Sequence, residues 1–215
     1  MITLESTRRW YTINDPVHGY DHIERVYKMA IRLAAAEGAD MGIVGAASLL
    51  HDVTSDRSSD DNSQIPRRNH QQVASEFARQ ILETEGWSEA RIVAVQHCIE
   101  AHRFRDNTQQ PQTLEAKIIF DADKLDAIGA IGIARAIAFA VRAGQPVYSP
   151  PSEQFLRSGL LQPGEYHSAY HEYVFKLCKI KDRLYTISAR RIADSRHQVM
   201  QDYFERLAAE WQAQL

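Results

Sequence analysis

The chain has 215 residues, of which 44% are apolar and 25% are charged, and its formal net charge is −3. This composition is ordinary for a globular protein, and the length predicts one domain with a sizeable core. The small negative charge argues against bulk binding of nucleic acid, although it does not exclude a local basic patch.

Helical periodicity begins early in the chain. Apolar residues recur at helical spacing from Ile23 to Ala34, and Gly38 ends the pattern. Asp40 is placed to cap a second helix, which is apolar on most sides and is therefore expected to be buried. The dipeptide His51-Asp52 follows at the C-terminal end of this second helix.

The middle of the chain alternates between loops and helices. Residues 54–69 are polar and predict a loop, after which helical pattern resumes at His70. A further helix is expected from residue 89 to about His102, followed by a loop over 105–113.

The second half of the chain predicts one long helix from Leu114 to about Ala143, with Gly129 and Gly132 inside it. Glycine is costly within a helix, so two glycines there indicate close packing against another helix. Residues 144–167 contain four prolines and predict an excursion over the surface. Two amphipathic helices, at about 168–180 and 183–213, are expected to close the chain, and no strand is predicted.

The sequence also predicts a compartment. Residues 1–10 contain no apolar signal core, and no run of about 18 apolar residues is present to span a membrane. Cys98 and Cys178 lie far apart in apolar helical stretches, which favours reduced thiols over a disulfide. We therefore expect a cytoplasmic protein without a membrane or nucleic-acid partner, and nothing indicates its oligomeric state.

Four side chains of metal-ligand type lie within or at the ends of apolar helical segments: His22, His51, Asp52 and Asp123. Such groups are costly to remove from water unless something pairs with them, and one divalent cation would pair with all four. Neighbouring residues project about 100° apart on a helix, so His51 and Asp52 can share one ion only near a helix end. The negative end of the helix dipole also favours a cation there.

Separate structural explanations exist for two of these side chains. His22 alone is compatible with a core histidine bonded to a carbonyl, and Asp123 with an ion pair to Lys117 or Lys124 on its own helix. Taken together, these explanations are weaker than one shared metal ion, because each polar group on an apolar segment would need a separate explanation.

The sequence resembles the HD-domain metal-dependent phosphohydrolases, and within them a branch of small uncharacterised bacterial HD hydrolases. The stretches that carry the resemblance are His22–Val26, Leu49–Val53 and Ala116–Ala130. The family's ligand order is His, His-Asp, Asp, and the Ala-Asp-basic-Leu context assigns the last ligand to Asp123 rather than Asp121. The resemblance covers residues 15–135 well and the C-terminal helices more loosely.

The resemblance implies an all-α, single HD-domain bundle with a metal site between its helices. The core would span about 15–143, with the helices of about 168–213 packed on it. The implied activity is hydrolysis of a small phosphorylated substrate by metal-activated water, and nucleotides are the commonest substrates in the family. One or two divalent ions are implied, and mixed imidazole and carboxylate ligands suit Mn, Fe, Co, Ni or Zn better than Mg.

Two further histidines stand at places where some HD branches bind a second metal. His70 opens a helix and His102 closes one, so they are candidates for a second metal or for phosphate. Surface or capping roles for both stay open.

Candidates for catalysis and phosphate binding lie next to the ligands. Asp52 is predicted to take a proton from the attacking water, and Asp126, three residues after the last ligand, to orient it. Arg25 and Lys124 are the candidates for binding phosphate.

Two other functions remain open. A di-iron oxygenase could use six ligands on this fold: His22, His51, Asp52, His70, His102 and Asp123. A sensor that binds a nucleotide without turning it over is the other alternative, although the intact ligand set argues against it.

Overall fold

The computed structural model describes residues 2–11, 19–53, 70–103 and 109–214, except for the side chain of His70. All regular structure in these ranges is helical, so the prediction of an all-α fold is confirmed for them. The chain forms two compact units, residues 1–123 and 124–215, which are described in turn. The prediction that the whole chain is a single domain stays a prediction.

In the described part of the first unit, the α-helices are α1 (Leu4–Thr7), α2 (Tyr20–Glu37), α3 (Met41–Leu50), α4 (His70–Thr84), α5 (Glu89–Ala101) and most of α6 (Leu114–Asp126). Helix α2 ends at Gly38, which has a φ of 77° and donates its N–H to the Ala34 carbonyl. A left-handed C-terminal residue of this kind is most often glycine, as the sequence predicted.

Helix α3 is the centre of the first unit. Its N-terminus is capped by Asp40, whose Oδ1 accepts hydrogen bonds from the Gly42 and Ile43 N–H groups at 2.8 and 3.0 Å. Every residue from Val44 to Leu50 is buried, because α2 packs on one side of the helix and α5 on another. Helix α4 packs against α5 and completes the core around α3. The burial predicted for this apolar helix is confirmed.

The second unit contains α7 (Gly129–Arg142), α8 (Glu153–Ser158), α9 (Ala169–Phe175) and α10 (Ile187–Trp211). Helix α7 packs along α10. A Cβ atom on Gly129 would lie 3.0 Å from the Cβ of Arg196, whereas one on Gly132 would first meet the Ala127 carbonyl and then the flexible end of Met200 at 2.7 Å. The close helix packing inferred from these glycines is therefore present.

The single long helix predicted over 114–143 is wrong. It breaks between α6 and α7, where Ile128 is extended with a φ of −127° and Gly129 is left-handed with a φ of 77°. Arg135 closes the turn by donating to the carboxylate and the carbonyl of Asp126 at 2.7 and 3.1 Å. The burial of Ile128 and the ion pair between Arg135 and Asp126 favour the turn over continuation of the helix. The apolar periodicity of the sequence does not reveal either interaction.

The two predicted C-terminal helices are also shorter than expected. Helix α9 ends at Phe175, and 3₁₀ turns at Leu177–Lys179 and Lys181–Arg183 precede α10, which begins at Ile187. The 3₁₀ geometry places residues three apart on one side, and it buries both Leu177 and Ile180.

The region predicted as a surface excursion, 144–167, contains the short helix α8, anchored by the buried side chain of Phe155. Glu165 fixes the loop by accepting hydrogen bonds from Ser152 and from the Gln162 N–H. Across the ranges that the structure describes, no helix combines the length and apolar character needed to cross a bilayer.

Candidate metal centre

Three helices of the first unit bring the predicted ligands together. His22 lies in the first turn of α2, His51 caps the C-terminus of α3 and is followed by Asp52, and Asp123 lies in α6. His22 and His51 are at most 1% exposed, whereas the side chains of Asp52 and Asp123 are 16% and 18% exposed. The histidines therefore form the floor of the cluster, and the carboxyl groups reach toward solvent.

The separations between donor atoms match those of groups that share one ion. The ligand atoms of His22, His51 and Asp123 lie within 4.8 Å of one another. His22 Nε2 is 3.5 Å from Asp123 Oδ1 and 3.7 Å from Asp52 Oδ2, which is also 3.7 Å from His51 Nε2. Two ligands at about 2.1 Å from one ion in tetrahedral geometry are roughly 3.4 Å apart. Asp123 contributes one of these ligand atoms, and its role as a metal ligand stays a prediction.

The position of the proton on His51 follows from its contacts. Nδ1 lies 2.8 Å from the Ser48 carbonyl oxygen, which can only accept, so Nδ1 carries the hydrogen. In the neutral ring Nε2 then has a free lone pair. This Nε2 is buried, and no side chain or backbone group in the described ranges forms a hydrogen bond with it. Since a buried acceptor without a partner is costly, this atom is suited to a metal ion.

The electrostatics of His51 favour the same state. Burial lowers the pKa of His51 to about 4, and the nearby Asp52 carboxylate opposes that shift only in part. The ring is therefore neutral at pH 7 and can ligate a cation without first losing a proton. Imidazole nitrogen and carboxylate oxygen together suit a divalent transition metal, so the residues present fit the metal that the sequence predicted.

His102 occupies a second position beside Asp52. It caps the C-terminus of α5, and its Nδ1 contacts the carbonyl oxygen of Ile99, the same relation that His51 has to Ser48. Its Nε2 lies 3.6 Å from Asp52 Oδ1, whereas Asp52 Oδ2 faces His22 and His51. The two oxygens of Asp52 thus face different histidines, an arrangement that suits a carboxylate shared between two ions. The side chain of His70 lies outside the described residues.

The other predicted site residues have contacts of their own. Arg25 donates to Asp21 at 2.6 Å, one helical turn away. Asp126 is buried and paired with Arg135 at 2.7 Å, and it lies, like Lys124, in the second unit. Their roles in phosphate binding and catalysis stay predictions.

One residue beside the cluster escaped the sequence analysis. Tyr11 is buried, and its hydroxyl donates a hydrogen bond of 2.7 Å to the carbonyl of Leu49, two residues before His51. Tyr11 and Leu49 are 38 positions apart in the sequence, and Tyr11 belongs to no helix. Helical periodicity therefore gives no signal for this contact.

Comparison with known proteins gives consistent matches over the chain. The family model for the HD domain matches residues 19–128. The uncharacterised protein YpgQ of Bacillus subtilis is 31% identical over 210 residues, which cover 94% of this chain and 91% of YpgQ. The crystal structure of YpgQ in complex with ADP is similar with a TM-score of 0.71 and 29% identity, covering 97% of each chain. That of an HD-superfamily hydrolase from Bacillus thuringiensis has a TM-score of 0.69 and 29% identity, covering 98% of this chain and 97% of the other.

Proposed function

The chain belongs to the HD domain family, and from this premise we propose that it is a metal-dependent phosphohydrolase. Its substrate would be a small phosphorylated molecule, cleaved at a phosphoric ester or anhydride bond by water. His22, His51, Asp52 and Asp123 would hold the divalent ion.

One observation carries this proposal. The Nε2 atom of His51 is fully buried, has no hydrogen-bond partner among the residues that the structure describes, and faces Asp52 at 3.7 Å. A chain that used these residues only to stabilise its core would have to tolerate an unsatisfied acceptor at the centre of the first unit. A ligated cation gives the lone pair a partner and compensates the carboxyl groups at the same time.

The chain's own residues would divide the chemistry among them. A bound divalent ion supplies Lewis acidity, which lowers the pKa of water and polarises a phosphoryl oxygen. The ring of His51 is fixed by its Nδ1 hydrogen bond to Ser48, so its Nε2 is aimed without reorganisation. Asp52 is partly exposed, and its carboxylate can accept the proton of an attacking water. Lys124 and Arg25 are the proposed phosphate contacts.

A nucleotide is the proposed substrate class. YpgQ, which is 31% identical over most of both chains, has been crystallised with ADP. An adenine nucleotide also contains the anhydride bonds that a phosphohydrolase cleaves. The position of His102 beside Asp52 supports a second ion, which would serve either phosphoryl transfer or the oxygenase alternative.

The test is a metal and substrate screen. Protein stripped with EDTA is reloaded separately with Mn²⁺, Fe²⁺, Co²⁺, Ni²⁺, Zn²⁺ and Mg²⁺. It is then assayed for phosphate and pyrophosphate release from nucleoside mono-, di- and triphosphates. We expect turnover with at least one transition metal, and a loss of more than about 100-fold in Asp123→Asn.

The control is His97→Asn, because His97 lies on α5 outside the cluster and bonds the Gln112 N–H. It should retain full activity. Absence of phosphate release from metal-loaded protein would overturn the proposal. Oxygen uptake with Fe²⁺ would then favour the oxygenase, and thermal protection by a nucleotide without turnover would favour the sensor.

A further inference from the structure

The N-terminal segment, residues 2–11, contacts three helices of the first unit, and two of them, α2 and α3, carry or precede predicted metal ligands. Trp10 packs edge-on against Phe77 of α4, with ring centroids 5.3 Å apart. The hydroxyl of Tyr20, in the first turn of α2, donates to the Leu4 carbonyl. Tyr11 reaches α3 through its hydrogen bond to Leu49. The segment is therefore fastened to the helices that carry His22 and His51-Asp52.

The contact with α3 falls on the last turn of that helix. The final carbonyl groups of an α-helix have no partner within the helix and need donors from elsewhere. The Ser48 carbonyl accepts from Nδ1 of His51 at 2.8 Å, and the Leu50 carbonyl accepts from the Val53 N–H at 3.5 Å. The carbonyl between them, on Leu49, accepts the Tyr11 hydroxyl at 2.7 Å. Tyr11 thus supplies the donor in the middle of the turn that ends in the ligand pair.

We propose that Tyr11 is a positioning residue for the metal centre, which fixes the helix end that aims His51 and Asp52 at a shared cation. This inference rests on the proposed function, because it assumes that these two residues are ligands. It adds a residue outside the predicted ligand set and far from it in sequence.

The surroundings of Tyr11 support this role. The side chain is 8% exposed, so a lost hydroxyl is not readily replaced by water. Because the Leu49 carbonyl oxygen can only accept, the Tyr11 hydroxyl is the donor in the hydrogen bond of 2.7 Å between them.

A purely structural role would have a different consequence. If Tyr11 only filled the core, loss of its hydroxyl would lower the stability of the fold and leave the affinity of the folded protein for a metal unchanged. If it sets the geometry of the ligand pair, affinity should fall as well. Removing a residue that orients ligands typically costs about 10–100-fold in metal affinity.

The experiment compares Tyr11→Phe with Thr7→Val. Thr7 is buried in the same segment, and among the described residues its hydroxyl bonds within that segment, to the Thr3 and Leu4 carbonyls at 3.0 and 3.1 Å. Both variants lose one buried hydroxyl, but only Tyr11→Phe loses a contact with α3. The readouts are the melting temperature of the metal-free protein and Mn²⁺ affinity measured by competition with a fluorescent chelator.

We expect Tyr11→Phe to bind Mn²⁺ about 10-fold more weakly than wild type, and Thr7→Val to bind it normally. Wild-type affinity in Tyr11→Phe, or an equal loss in both variants, would overturn the inference while leaving the proposed function standing. If wild type itself binds no divalent ion, the proposed metal centre fails and the inference fails with it. Normal Mn²⁺ binding by wild type without phosphatase activity would count against the proposed reaction alone.

Discussion

Replacing His51 by asparagine tests two quantities separately: the stability of the metal-free protein and the stability that it gains on binding a metal ion. The asparagine amide can take the place of Nδ1 and donate to the Ser48 carbonyl, but it has no atom at the position of Nε2. The variant therefore loses the ligand atom and keeps the hydrogen bond of 2.8 Å that the ring makes. A substitution that has no N–H group at the position of Nδ1 would also leave the Ser48 carbonyl without its donor.

The magnitudes follow from the contacts. In the metal-free protein, the buried Nε2 without a partner costs about 1–3 kcal/mol, which the variant avoids. Loss of the ring atoms opens a small void that costs a similar amount, so the metal-free stabilities should agree within about 1 kcal/mol. With metal at about a thousand times its Kd, wild type gains about 4 kcal/mol and the variant gains almost none.

The assay is thermal unfolding in EDTA and again in excess Mn²⁺, for wild type, His51→Asn and the control His97→Asn. A gain of about 4 kcal/mol corresponds to a rise of roughly 8–16 °C in Tm for a chain of this size. Wild type and His97→Asn should show this rise, and His51→Asn should not. If His51→Asn gains as much from Mn²⁺ as wild type does, the assignment of His51 as a ligand is refuted.

Three further predictions concern the turn at Gly129, the hydrogen bonds of Glu165 and the role of Asp126. Gly129→Ala forces a non-glycine residue to a φ of 77° and brings its Cβ to 3.0 Å from Arg196, so urea unfolding should show a loss of about 1–3 kcal/mol. Hydrogen bonds, first from the Gln162 N–H, lower the pKa of Glu165 from 4.5 to about 2. The stability that they contribute is present above pH 4.5 and is lost as the pH falls toward 2, and Glu165→Gln should flatten this dependence in acid titrations followed by circular dichroism. Asp126→Asn should lower phosphatase turnover without releasing metal if Asp126 orients a reacting group. If Arg135→Met lowers turnover equally, the ion pair of 2.7 Å matters for structure and the catalytic prediction for Asp126 is wrong.

The sequence predicted those parts of the fold that depend on local pattern. The bounds of α2 and α3 follow from Gly38 and Asp40, because a left-handed end residue and a side-chain cap act within a few positions. His22, His51 and Asp123 were singled out as ligand-type side chains on apolar helical segments, and the resemblance to a family then joined them into one ligand set; the structure brings their ligand atoms within 4.8 Å. Spacing alone could not have joined residues a hundred positions apart.

The parts that escaped prediction depend on tertiary contacts. Apolar periodicity continues through residues 114–143, and only the left-handed Gly129 and the pairing of Asp126 with Arg135 show that the helix must break. Tyr11 is one aromatic residue outside any helix, and its contact with Leu49 exists only in the folded chain. Neither feature has a signature within a window of sequence.

The most direct test of the metal centre is anomalous diffraction from crystals loaded with Mn²⁺, Co²⁺ or Zn²⁺ and measured at the metal's absorption edge. We expect a peak about 2.0–2.2 Å from Nε2 of His22, Nε2 of His51 and carboxylate oxygens of Asp52 and Asp123. A loaded crystal with its peak elsewhere, and with the two histidine Nε2 atoms beyond bonding distance of any ion, would contradict the assignment of these residues as ligands.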